Sequence, residues 1–186
     1  AGETSQWEPR LVENLNPVEP PHDEKYHLSE DMAEKAITWM RRHRAYSPDE
    51  PFFMYWAPGA GHGPHHVSKE WADKYEGRFD DGWDELRKKT LERQKQLGIV
   101  PQDTELTERP DAFPAWDSLD ETSKKLYARQ MEVYAGYQEN ADWNIGRLLK
   151  QRDDLKLADN TIIAFFHDNG PNGARWNGGM KGRKGS

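Results

Sequence analysis

Met32, Ala33, Ala36, Ile37 and Met40 recur at helical spacing. Ser29 stands just before them as an N-cap, and Glu30 and Asp31 put negative charge where a helix dipole favours it. Arg41, Arg42 and Arg44 gather near the opposite end, so the pattern predicts a helix over 29–45. A turn, Ser47-Pro48-Asp49-Glu50-Pro51, leads to Phe52-Phe53-Met54-Tyr55-Trp56-Ala57, which carries no charge. Such a run after a helix suits a strand buried on both faces, as in a parallel sheet. It breaks at residues 58–66, where Gly, Pro and His predominate.

The pattern over 69–97 predicts two helical pieces, 69–76 and 82–97, bent at Gly77 and Gly82. Pro101, Pro110 and Pro114 mark 98–120 as an irregular excursion. A long helix is expected over 121–152, with an inner stripe of Tyr127, Met131, Tyr134, Ala141, Ile145 and Leu148 and with Gln138 as the polar exception. After a turn at Asp159-Asn160, Thr161–Phe166 is a second run suited to a buried strand. Residues 1–28 hold four of the twelve prolines and read as an extended arm. Helix, strand, helices, strand is the order of an α/β fold, a sheet with covering helices. The stretch between the two strand runs far exceeds a minimal crossover.

Composition narrows the classes. Lys and Arg number 26 and Asp and Glu 33, a net charge of −7, which argues against duplex nucleic acid as a partner. The 8 Trp, 7 Tyr and 6 Phe are too many for a disordered chain. No apolar run is long enough to span a membrane. Without cysteine, disulfide and thiolate chemistry are excluded within these residues. The chain opens on Ala1 and stops in a Gly-rich loop, so both ends are expected to be truncated within a longer protein.

Ligands of open α/β sheets sit off the carboxyl ends of the strands. The first expected strand exits to His62, His65 and His66, and the second to Asp168 and Asn169, with Lys184 further along. Asp168-Asn169-Gly170 reads either as a turn or as two hard oxygen donors of the kind Ca²⁺ takes. His62, between glycines and prolines, is either a surface imidazole or a proton donor to an anion or a leaving group. Adjacent histidines point apart and no helix carries His-x-x-x-His, which argues against zinc. Lys184 is either a solvated loop cation or a point charge for an oxyanion; the order Gly179…Lys184-Gly185-Ser186 is not a P-loop. Trp71, Trp83, Trp116 and Trp143 are expected to pack under the excursion.

In this order the motifs resemble the sulfatase family of the alkaline-phosphatase superfamily over essentially the whole chain. Phe52–Pro64 (FFMYWAPGAGHGP) is similar to the family's strand followed by a His-x-Pro loop. Residues 65–120, with Glu70-Trp71, Phe79-Asp80-Asp81-Gly82-Trp83-Asp84 and Pro114-Ala115-Trp116, resemble the insertion of large bacterial arylsulfatases. Thr161–Pro171 resembles the second metal-binding strand, ending in Asp-Asn-Gly, and Gly179–Gly185 resembles the Leu-Arg-Gly-x-Lys-Gly motif.

The resemblance implies part of one sulfatase catalytic domain: an extended arm at 1–28, an insertion at 65–120 and an active-site loop at 167–186. It implies a partial alkaline-phosphatase-like sheet with covering helices and a long, mostly helical insertion. His62 would contact the sulfate and assist the leaving group, Lys184 would bind sulfate oxygens, and Asp168 and Asn169 would be two ligands of one Ca²⁺. The implied substrate is a small aryl or carbohydrate sulfate ester, and the implied partner is the remainder of the same catalytic domain.

The chain departs from the family pattern in three ways. It has no Cys/Ser-x-Pro-x-Arg motif for the formylglycine nucleophile and no Asp-Asp ligand pair, both of which are expected upstream. His167 occupies a position that is usually small. Two other readings compete: a phosphodiesterase or phosphonate hydrolase of the same superfamily, and a non-catalytic module binding carbohydrate or a partner protein.

Overall fold

The computed structural model describes residues 4–166. Its longest element is helix α4, Glu121–Asp154, which at 34 residues runs ~51 Å. Asp120 starts it by accepting from the Ser123 amide at 2.9 Å and the Ser123 hydroxyl at 2.7 Å. The other helices are α1 (Leu28–Tyr46), α2 (Lys69–Asp73) and α3 (Gly82–Gln96), with 3₁₀ turns at Trp116–Ser118 and Ala158–Asn160. Among the described residues the only sheet is a hairpin of β1 (Leu11–Glu13) and β2 (Asn16–Val18), antiparallel with Leu11 opposite Val18. Asn14 turns it at a φ of 57°, a left-handed conformation Asn tolerates.

Helix α1 matches its expected span but not its expected cap. The cap is His27, and Ser29 is fully buried inside the first turn. The N-terminal segment supplies what a cap would: Gln6 O accepts from the Leu28 amide at 2.8 Å, and Gln6 Oε1 accepts from the Ser29 hydroxyl at 3.4 Å. The N-terminal arm is thus anchored at Gln6 and at Tyr26, His27 and Leu28, with the mostly exposed hairpin between these two points.

The inner stripe of α4 also differs. Its buried residues are Ala128, Glu132, Gly136, Tyr137, Asn140, Ala141, Asn144 and Gln151, while Tyr127, Met131, Tyr134, Ile145 and Leu148 are half-buried beside them. A seam of alternating three and four suits one straight partner. Here the partner changes along the helix, and a run of i+4 steps turns the buried face from α2 to α1. The α1 side is polar: Asn140 donates to Glu30 Oε1 at 2.9 Å, Arg147 to Glu34, and Arg41 to Gln151 Oε1 at 2.8 Å.

The excursion folds back on α3 and α4. Trp83 and Trp116 meet edge to face at 4.8 Å and pack with Ala128, Phe79, Leu119 and Tyr127. The Trp83 indole donates to Pro114 O at 3.1 Å, and Asp84 accepts from the Trp116 amide at 2.9 Å. Trp71 and Trp143 pair at 5.9 Å, but Trp143 is 47% exposed, not covered as expected.

The two expected strands are the main correction to the α/β reading. Residues 52–57 and 161–166 are not strands: neither is paired with a neighbour among the described residues. Phe52 packs against Trp39 and His43 of α1 at 5.4 Å, whereas Phe53 is 88% exposed. Tyr55, Ile162, Phe165 and Phe166 are exposed as well. Both runs have the composition of doubly buried strands, but a strand exists only through its ladder. The described architecture is accordingly mostly helical.

A Cβ on Gly136 would lie 2.7 Å from the carbonyl carbon and oxygen of Trp71, whereas one on Gly146 would meet nothing within 4 Å. Gly136→Ala is expected to destabilise by ~1–3 kcal/mol by pushing α2 away, and Gly146→Ala to stabilise by ~0.5–1 kcal/mol through helix propensity. Urea denaturation of the two variants checks both signs.

Candidate functional site

The charge-free run ends at Ala57, and the chain then folds into two tight turns. Gly59 O accepts from the His62 amide and Pro64 O from the His66 amide, both at 3.0 Å. Gly61 makes the first turn possible with a φ of +91°, and it sits so close to α4 that a Cβ there would be 3.1 Å from Gln138 Nε2. The loop lies between α4 and the start of α1.

His62 is half-buried, and its Nδ1 lies 2.8 Å from Gly63 O. A carbonyl only accepts, so Nδ1 carries a hydrogen toward Gly63 O. A ring held this way can give a proton to an anion or to a departing oxygen.

His65 turns inward, its ring 5.2 Å edge-on from Tyr134 and 6.3 Å from Tyr137. Burial pushes its pKa below the usual histidine value, and the charges of His62 and His66 act in the same direction. Each histidine thus has its own setting.

His66 closes the loop. Its Nδ1 accepts from the Gln6 amide at 3.4 Å, its carbonyl accepts from His27 Nε2 at 2.9 Å, and its ring stacks on Trp7. Sequence patterning missed Gln6, His27 and Tyr137, the groups that hold this loop. His27 sits just before the periodic residues of α1, and that adjacency is the one signal it offered.

A hollow of about 230 Å³ opens beside His65, lined also by Leu126, Arg129, Gln130 and Val133. It offers no uncommitted cation, because Arg129 is paired with Asp73 and Glu132 at 2.8 Å each.

Of the expected site residues, His62 lies within the described structure. Asp168, Asn169 and Lys184 lie outside the described residues, as do His167, Arg175, Lys181 and Arg183. Among the described residues no group of three or more His, Cys, Asp or Glu is placed to hold a metal ion.

Comparison with known proteins supplies the family. The sulfatase family model matches residues 1–185. An uncharacterized sulfatase of Schizosaccharomyces pombe is 34% identical over 168 residues, covering 89% of this chain and 30% of the relative. An arylsulfatase of Klebsiella aerogenes is 30% identical over 150 residues, covering 81% of this chain and 32% of the relative. The chain thus spans about a third of the length of these curated relatives. With a histidine loop of this build and a match that leaves only the last residue uncovered, the chain belongs to the sulfatase family.

Proposed function

We propose that residues 1–186 are part of one sulfatase catalytic domain whose parent enzyme hydrolyses sulfate monoesters of aryl or carbohydrate groups. The observation that carries this reading is the coincidence of a family match over 1–185 with a histidine held on a tight loop after a charge-free run. The exposed apolar residues of 52–57 and 161–166 support the domain assignment. Strand composition without strand partners suits a piece whose sheet is completed by further chain. The relatives' threefold greater length points the same way.

The roles follow from charge. As the ester S–O bond breaks, negative charge grows on the departing oxygen and on the sulfate oxygens. Protonated on both nitrogens, His62 donates the Nε2 proton to that developing charge and keeps the Nδ1–H engaged by Gly63 O. Lys184 acts as a point charge for sulfate oxygens. Asp168 and Asn169 are the carboxylate and amide donors toward one Ca²⁺, which when bound supplies Lewis-acid stabilisation. The formylglycine nucleophile belongs to the parent outside these residues, since no Cys/Ser-x-Pro-x-Arg motif occurs among them.

In the parent enzyme, His62→Ala is expected to lower kcat/KM for an aryl sulfate by ~10²–10⁴-fold, the usual worth of a positioned proton donor. Chelation of Ca²⁺ is expected to abolish turnover and restored Ca²⁺ to recover it. Faster turnover of a phosphodiester than of the sulfate ester would replace the sulfatase reading with a phosphodiesterase. The 186-residue chain alone is expected to release no sulfate, and measurable turnover by it would contradict the missing-nucleophile argument.

A further inference from the structure

His27 and His66 are far apart in sequence, yet their meeting decides where the histidine loop ends in space. The His66 carbonyl can only accept, so His27 donates from Nε2 at 2.9 Å. This bond ties the loop backbone to the residue that starts α1, whereas the His66 amide turns back on Pro64 O and the Gln6 contact reaches the ring. The opposite side of the loop rests on Gln138 through Gly61. His62 sits between these two supports.

We propose that His27 is a positioning residue for His62, holding the loop in place through one hydrogen bond donated to the His66 carbonyl. The proposal rests on the reading of His62 as the proton donor to the ester, and it assigns a role to a residue outside the expected site.

The surroundings of His27 favour its neutral form. The side chain is buried, with Trp7 edge-on at 5.1 Å and Tyr137 at 6.1 Å. Its Nδ1 is buried with no hydrogen-bond partner, so a second proton there would have nothing to accept it. The titratable and charged groups around it are Glu30 on α1, His66 on the loop and the Tyr137 phenol on α4. Glu30 would favour a charged ring, but its carboxylate already accepts from Asn140. Burial outweighs the two groups that favour the charged ring, the His66 carbonyl and the Glu30 carboxylate, and a charge on His66 acts with burial, so the His27 pKa lies below its ordinary 6.5.

The unfolded chain therefore takes up this proton at a higher pH than the folded one. The stability His27 contributes is complete above pH 6.5 and is lost as the pH falls toward the folded-state pKa. His65 is shifted in the same direction and adds to the loss.

The test is nitrogen NMR and amide hydrogen exchange on the full chain. Above the ordinary histidine range, the wild type is expected to show His62 protonated at Nδ1. His27→Leu fills the space without a donor. It is expected to give mixed His62 tautomers and about tenfold lower protection of the His62 and His66 amides, the effect of one buried hydrogen bond. The Ala141 amide on α4 is expected to keep its protection. His27→Gln carries a donor at the same reach and is expected to restore both signals. It is also expected to shrink the acid-side loss of loop protection seen in the wild type. An unchanged His62 tautomer and unchanged loop protection in a folded His27→Leu chain would overturn the proposal. If the Leu variant does not fold, His27→Gln decides, and an acid-side loss as large as in the wild type overturns it. None of these signals needs turnover. A parent enzyme still active as His62→Ala would sink the reading of His62, while the His27 proposal would stand or fall on the NMR alone.

Discussion

Asn140 and Glu30 meet at 2.9 Å across the seam between α1 and α4, the contact that sets the helix on one side of the histidine loop against the helix on the other. It is polar where most helix crossings are apolar. Gln6, Ser29, Asn140 and Asn144 are all fully buried. A buried polar group left without a partner costs ~1–3 kcal/mol, so a slip of α1 along α4 is penalised at several positions at once. Apolar contacts tolerate repacking, whereas a hydrogen-bonded seam accepts one register. One turn earlier on α4, Gly136 lets the α2 backbone approach as no other residue would.

The seam also reaches the site. Gln6 bonds to α1 through Leu28 and Ser29 and meets the ring of His66 through its own amide. Tyr134, Tyr137 and Gln138 on α4 set the inner wall of the histidine loop. The loop is thus bounded by helix faces whose relative placement the polar pairs hold. A positioned imidazole needs this, because proton donation is useful only within hydrogen-bond reach of the atom that receives it.

The sequence was informative where local rules act alone. The periodicity of Met32 to Met40 located α1, and the prolines of 98–120 located the excursion. It misled where a partner decides. Ser29 has the chemistry of a cap, but Gln6 already serves that helix end. Tyr127, Met131 and Ile145 looked like a stripe because they are apolar, while Asn140 and Asn144 were passed over because burial of an amide needs a partner that periodicity does not reveal. Phe52–Ala57 and Thr161–Phe166 read as strands from composition, yet a ladder is supplied by other backbones. At the site, the Gly-Pro setting of His62 was legible, and the sulfatase resemblance agrees with the family match. His27 was not legible, because its role depends on a carbonyl 39 residues away.

His62 is expected to share one anion site with Asp168, Asn169 and Lys184. A crystal structure of the parent enzyme with Ca²⁺ and a bound sulfate measures it directly. The prediction is a His62 ring nitrogen within ~3 Å of a sulfate oxygen, with Lys184 on the same anion and Asp168 and Asn169 on the ion beside it. His62 and Asp168 on opposite rims of the sheet, with no anion between them, would contradict it.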